Sequence, residues 1–245
     1  MRNKAIFLAT TAVALVLMGS PAKAEGVYAN IIGGLNWQPG SSGSLSTTTG
    51  SFTTNTSFNE DADTGFVIGG AIGVELSKWV QGLRTELEVS YRRNDRDGDH
   101  RVQQFYGTTN SDEAAGPIQG NLSNFSILAN IWYEIDAGWK IRPYIGGGAG
   151  WTRARLEAAA PVVTNTGVPT PPNPWNTTRQ EESGFAYQLG AGFNRTVAPG
   201  VDVGIGYRYF DGPNFDPLFI GKNGVPVGFD NENHAVLVNL TININ

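Results

Sequence analysis

Over residues 83–93 apolar and polar side chains alternate one by one. Thr85, Leu87, Val89 and Tyr91 face one way, and Arg84, Glu86, Glu88, Ser90 and Arg92 face the other. A period of two predicts a β-strand with unlike faces. A soluble sheet would hide the apolar face in a core, whereas a membrane barrel turns it to lipid and keeps the charges in its lumen. The strand alone fits both.

The same period recurs along the chain. Ala29, Ile31, Gly33, Leu35 and Trp37 define one strand, and Phe66, Ile68, Ile72, Val74 and Leu76 a second, whose opposite positions are nearly all Gly or Ala. After residues 83–93 come Phe125 to Ile135, Trp139 to Trp151, Phe185 to Asn194, Val201 to Phe210, and a last strand from His234 to Ile244. Eight strands are thus predicted, and their connections alternate strictly in length. Four are read as large exposed loops, Pro39 to Asn59, Asn94 to Gly120, Leu156 to Glu182 and Asp211 to Asn231. Three are short turns, Ser77 to Gly82, Asp136 to Gly138 and Val197 to Gly200.

That alternation selects the membrane reading, because an outer-membrane barrel has short periplasmic turns and long outer loops. About 11 residues at 3.3 Å each, tilted near 40°, also cover roughly 28 Å, the height of a lipid-facing band. The apolar faces are therefore expected to point outward. At the end beside the long loops, the first seven strands present Trp37, Phe66, Tyr91, Phe125, Trp151, Phe185 and Tyr209 on that face. This is the pattern of an aromatic girdle at the outer interface.

Composition sharpens the picture. Arg2 and Lys4, an uncharged run from Ala5 to Met18, and Ser20-Pro21-Ala22-Lys23-Ala24 predict a signal peptide over 1–24, cut after Ala24, with a barrel domain over 25–245. The run, about 15 residues, is shorter than the roughly 20 of a spanning helix. The full chain carries a net charge of −5, and without residues 1–24 the balance is 14 basic to 22 acidic residues, −8, so nucleic acid is not an expected partner. There is no cysteine, which excludes disulfides, thiol nucleophiles and thiolate metal sites. With 32 glycines and no helix-like runs, the chain reads as all-β: an eight-stranded antiparallel up-and-down transmembrane barrel.

Leu87-Glu88-Val89-Ser90-Tyr91-Arg92, Arg142-Pro143-Tyr144-Ile145-Gly146, Phe185-Ala186-Tyr187-Gln188-Leu189-Gly190 and Gly206-Tyr207-Arg208-Tyr209-Phe210 carry a resemblance to a known family. The chain resembles the eight-stranded outer-membrane barrels of Gram-negative bacteria, including the OmpA-type transmembrane domain and the surface-antigen or "porin family" proteins. The resemblance implies an outer-membrane location and lipid as partner. It also implies periplasmic chaperones and the barrel-assembly machinery during biogenesis, and a monomer. Such proteins usually end on an aromatic residue that this machinery recognises, and this chain departs from the pattern by ending Ile242-Asn243-Ile244-Asn245.

The inward set holds five charges of each sign: Arg84, Arg92, Lys140, Arg142 and Arg208 against Glu75, Glu86, Glu88, Glu134 and Asp202. A barrel of eight strands has an interior just wide enough for side chains to fill, so Arg84, Glu86, Glu88, Arg142 and Arg208 read as a structural ion network. The alternative is a selectivity ring in a small passive channel. A soluble lipocalin-like binder would need an apolar lumen, which these charges oppose. Gly146 to Gly150 lacks the Gly-Lys-Ser/Thr and the helix of a phosphate loop. Asp95, Asp97 and Asp99 lack the distal Glu of a calcium loop and read as a solvated acidic turn. The histidines are His100, in a loop, and His234, on the lipid side of the last strand. His234 is followed by Ala235-Val236, without the Ser two positions away that lipid A deacylases of this class use. No catalytic, cofactor or metal residue is predicted, and the expected role is a non-enzymatic one of structural, antigen or adhesion type.

Overall fold

The computed structural model describes residues 26–106, 109–161, 175–220 and 225–244. Its strands are β1 (Val27–Trp37), β2 (Ser41–Thr49), β3 (Phe52–Ala62), β4 (Gly65–Glu75), β5 (Leu83–Tyr106), β6 (Thr109–Glu134), β7 (Arg142–Pro161), β8 (Trp175–Ala198), β9 (Val201–Asp211), β10 (Phe215–Ile220), β11 (Val225–Phe229) and β12 (Glu232–Ile244). Among the described residues there is no helix.

Eight of these strands close a ring in the order β5-β4-β1-β12-β9-β8-β7-β6, with β6 pairing back onto β5. Every pairing is antiparallel, and β1 closes against the last strand from Val27↔Ile244 to Trp37↔His234. Closure leaves no open edge within the ring, which is the condition for a sheet to cross lipid. Within the ring the pleat sends Ile31, Leu35, Ile68, Ile72, Ile131, Ile145, Leu189, Ile205 and Val238 outward, all more than half exposed. Their neighbours point inward and are buried or half-buried.

The lumen is filled by pairing large residues with glycines across strands. A methyl group placed on Gly206 or Gly192 would collide with the Tyr144 ring, one on Gly73 with Tyr28, and one on Gly148 with the Asn130 amide. The glycines along one face of β4, β7, β8 and β9 are therefore the space that Tyr28, Asn130 and Tyr144 occupy. The three short turns each contain one glycine with positive φ, Gly82 (79°), Gly138 (73°) and Gly200 (72°), a conformation that carries no steric cost only without a Cβ. The middle connection is longer than the sequence indicates. β6 stops at Glu134 and β7 begins at Arg142, so Trp139, Lys140 and Ile141 lie before the strand.

The four segments read as loops are a larger correction. Within 39–59 the chain folds into the β2–β3 hairpin, turned at Gly50. Over 94–120, β5 and β6 continue as one ladder as far as Tyr106↔Thr109. Over 156–182, β7 and β8 stay paired to Pro161↔Trp175, and the proline-rich run beyond lies outside the described residues. Over 211–231, β10 and β11 form a separate two-stranded sheet. Hydrophobic alternation reports a contrast between two environments, and the outer segments lack it: β2 is Ser, Gly or Thr at every position but Leu45. The ladder therefore continues there on backbone hydrogen bonds and Thr-rich strand preference, without the pattern that would announce it. The signal peptide reading, and the final Asn245, fall outside the described residues.

Candidate functional site

Among the described residues, polar side chains converge most extensively in the lumen, where they lie in three tiers. The middle tier is centred on Glu88, which is fully buried (0% exposed). Its Oε2 accepts hydrogen bonds from Arg208 Nη1 at 2.5 Å, Asn130 Nδ2 at 2.9 Å and Gln188 Nε2 at 3.0 Å. Glu86, one pleat away on β5, accepts from Trp132 Nε1 at 2.8 Å and Asn130 Nδ2 at 3.1 Å, and Tyr28 Oη donates to it at 3.3 Å. Arg92 donates to Ser90 Oγ and Gln188 Oε1, both at 3.1 Å, and lies 4.2 Å above the centre of the Phe210 ring. Arg208 lies 4.9 Å from the Trp132 ring. Neutral amides and ring faces thus take up the charges that have no ion partner, as burial requires.

The tier toward the short turns is built on Glu134, the last residue of β6. It receives Arg84 Nη2 at 3.0 Å, Arg142 Nε at 2.5 Å and Asn194 Nδ2 at 2.8 Å. Arg142 continues to Asp202 at 3.0 Å and to Thr196 Oγ1 at 2.8 Å. Of the ten charges assigned inward by alternation, Glu75 and Lys140 are instead exposed. Glu75 is the last residue of β4, at the rim of the wall, and Lys140 precedes β7.

The outer tier is made of amides. Asn36, Asn94, Asn124, Asn231 and Asn233 are each at most 2% exposed. Asn36 Nδ2 donates to Asn94 Oδ1 at 2.5 Å and to Asn233 Oδ1 at 3.2 Å, while Asn124 and Asn231 exchange bonds of 2.9 and 2.8 Å. Arg96 Nε donates to Gln38 Oε1 at 3.1 Å beside them. The sequence reading missed this tier because Asn94, Arg96 and Asn231 fell in segments taken for loops. Asn130 and Gln188 carried a visible signal, a neutral amide on the charged face of a strand.

Between the two inner tiers, a cavity of about 20 Å³ bordered by Tyr28, Glu86, Trp132, Tyr144 and Arg208 has room for one water molecule. Wide passage through that level would require these side chains to move.

On the outer wall, Phe66, Phe125, Trp151 and Phe185 are exposed, and Trp37, Tyr91 and Tyr209 are half-buried. Rings touch in a chain from Trp37 through His234, Tyr209 and Tyr187 to Phe185, with centroids 5.4 to 6.5 Å apart. His234 Nδ1 also shares a 2.5 Å hydrogen bond with Tyr207 Oη, so this histidine is part of the aromatic surface. At the opposite end, Trp79 and Trp139 stand exposed at the short turns. His100 lies in β5, opposite Phe58 of β3. Asp95, Asp97 and Asp99 occupy alternate, exposed positions of β5, where the sequence reading placed a turn. Gly146 to Gly150 lie within β7.

A family model described as outer membrane protein beta-barrel domain matches residues 7–239. Among solved structures, Neisserial surface protein A (NspA) aligns at 16% identity and a TM-score of 0.46, covering 90% of this chain and 98% of its own. The outer membrane protein OprG of Pseudomonas aeruginosa aligns at 14% identity and 0.43, over 90% and 98%. The outer membrane protease OmpT of Escherichia coli aligns at 10% identity and 0.43, over 93% and 99%. The neighbours thus include an outer membrane protease beside a surface protein and an outer membrane protein. Comparison with curated proteins gives no match. With a family match over nearly its whole length and a closed ring of eight strands, this chain belongs to the outer membrane protein beta-barrel domain family, and its place is the outer membrane.

Proposed function

We propose that the barrel is a non-enzymatic, surface-displayed protein whose lumen is a structural plug, and that its outer hairpins carry an antigen or adhesion-type role. One observation carries this reading. At mid-height the lumen is occupied by Glu88, Arg208, Asn130 and Gln188 bonded to one another, with a cavity of about 20 Å³ beside them. His234 engaged by Tyr207 in the aromatic surface favours a non-catalytic role. In this reading residues 1–24 are a signal peptide removed on export, the barrel-assembly machinery inserts the chain, and the folded unit is a monomer. The residues Trp37, Phe66, Tyr91, Phe125, Trp151, Phe185 and Tyr209 form the outer girdle.

Planar-bilayer recording of the purified, folded protein tests the plug. Wild type is expected to stay near background, and Glu88→Ala or Arg208→Ala to open stepwise conductance. Steady conductance of the wild type would replace the plug with the passive-channel reading.

A further inference from the structure

Outward-facing residues of β7 and β8 change character abruptly above the girdle. The cross-strand pair Trp151↔Phe185 is followed, on the same face, by Arg153↔Ser183, Arg155↔Glu181 and Glu157↔Arg179. Two and four residues beyond Trp151, at about 3.3 Å each along a strand tilted near 40°, place Arg153 and Arg155 roughly 5 to 10 Å past the girdle. A bilayer is about 40–45 Å thick with its headgroups and about 30 Å without them, so each headgroup layer is roughly 5–8 Å deep, and the two arginines stand within it and at its outer edge.

Three guanidinium groups meet there on one carboxylate. Arg153 pairs with Glu181 Oε2, and Arg155 Nε and Arg179 Nη2 both donate to Glu181 Oε1 at 2.9 Å. Arg179 also lies 3.9 Å from Glu157. The cluster holds three cations against two anions, and the arginine side chains stay 40–52% exposed. A guanidinium carries five N–H donors in a planar fork suited to phosphate, and the carboxylates use only a few of them. At comparable height on β5 the outward sequence is Arg93, Asp95, Asp97 and Asp99, all exposed. The excess of positive charge is therefore a property of the β7–β8 face.

We infer that Arg153, Arg155 and Arg179 form a docking site for a phosphate-bearing headgroup of an outer-leaflet lipid, seated above Trp151 and Phe185 and sharing the guanidinium groups with Glu181. The occupant follows from the position: the site faces away from the lumen, at headgroup depth, directly above a lipid-facing aromatic pair. The apolar wall below it, Ile145 and Leu189, is available to the acyl chains of the same molecule.

The test uses the full folded protein in neutral detergent micelles, with lipid retention read by native mass spectrometry. The probes are a bisphosphorylated glucosamine lipid (lipid A), its dephosphorylated form, and inorganic phosphate. Wild type should retain the phosphorylated lipid and lose it at least about tenfold more readily after Arg153→Gln/Arg155→Gln/Arg179→Gln, since each basic residue near an anionic surface contributes about fivefold. Arg93→Gln is the control at comparable height and should change little. Glu181→Gln removes the competing carboxylate and should tighten retention, the opposite sign to that expected if the arginines serve only to hold Glu181. Unchanged heat-dependent gel mobility shows that each variant is folded. Equal retention by the triple variant, equal retention of the dephosphorylated lipid, or displacement by millimolar inorganic phosphate would overturn the assignment to a lipid headgroup.

Discussion

The ring and the sheet that rises above it are one hydrogen-bonded fabric with two different physical supports. In the ring, every strand has two partners, one face meets lipid and the other a packed polar lumen. Above it the wall continues on one side alone. β2, β3, β5, β6, β7 and β8 stay paired, whereas the β8–β9 ladder ends at Tyr187↔Asp211 and the β1–β12 ladder at Trp37↔His234. Past the buried Asn94 and Arg96, backbone pairing carries the β5–β6 ladder roughly 30 Å farther, from Asp97 to Tyr106. The ring adds burial on both faces, and its stability should respond to substitution far more steeply.

Four substitutions widen or close that difference. The largest effect belongs to Glu88→Ala, which leaves Arg208 buried without its carboxylate and should cost about 3–5 kcal/mol. The urea midpoint of the barrel folded in lipid vesicles measures it, and a shift no larger than that of a surface variant would refute the central role of Glu88. Next comes Ile205→Arg on the lipid face, expected to cost about 2–4 kcal/mol. Gln119→Arg in the outer part of β6 is its matched control and should stay within about 0.5 kcal/mol. Equal losses in these two would show that no lipid boundary separates them.

Replacing Ser41–Thr49, the turn and Phe52–Ala62 by a short Gly-Ser linker should preserve the heat-dependent gel shift, because β4 keeps β1 and β5 as partners. Loss of the shift would mean that the outer sheet supports the ring. The smallest effect concerns acid. Glu181 is held down to about 2, from an ordinary value near 4.5, first by the Arg153 hydrogen bond and then by Arg179. A carboxylate with a depressed folded value contributes fully above its unfolded value and loses that contribution as pH falls toward about 2. Amide exchange over residues 179–183, corrected for intrinsic rate, should therefore quicken between pH 4.5 and 2, and Glu181→Gln should abolish that change.

The ring was legible because each of its strands separates two environments. In β5, Leu87 and Val89 against Glu86 and Glu88 are enough to assign both faces. Beyond the girdle the side chains of β2, Ser and Thr almost throughout, carry no such contrast, so pairing that depends on the backbone left no mark. The lumen was half legible for a related reason. Charge drew attention to Glu88 and Arg208, while Asn130 and Gln188 showed only as neutral amides on the charged face, and their bonds to Glu88 exist only once the ring brings the strands together. Lys140 shows the converse, since alternation assigns a face and says nothing about whether the strand has begun, and Glu75, the last residue of β4, lies exposed at the rim.

The partners of Glu88 have a consequence for how the molecule forms. Asn130, Gln188 and Arg208 lie 42, 100 and 120 residues away along the chain. Contacts so distant in sequence make for slow folding, because the loop entropy is lost before the contact is gained. A β5 strand that entered lipid ahead of its neighbours would also carry Glu86 and Glu88 into hydrocarbon without their shell. The arrangement therefore favours a late, concerted closing step in which β1 and β12 meet and the buried carboxylates acquire their donors together.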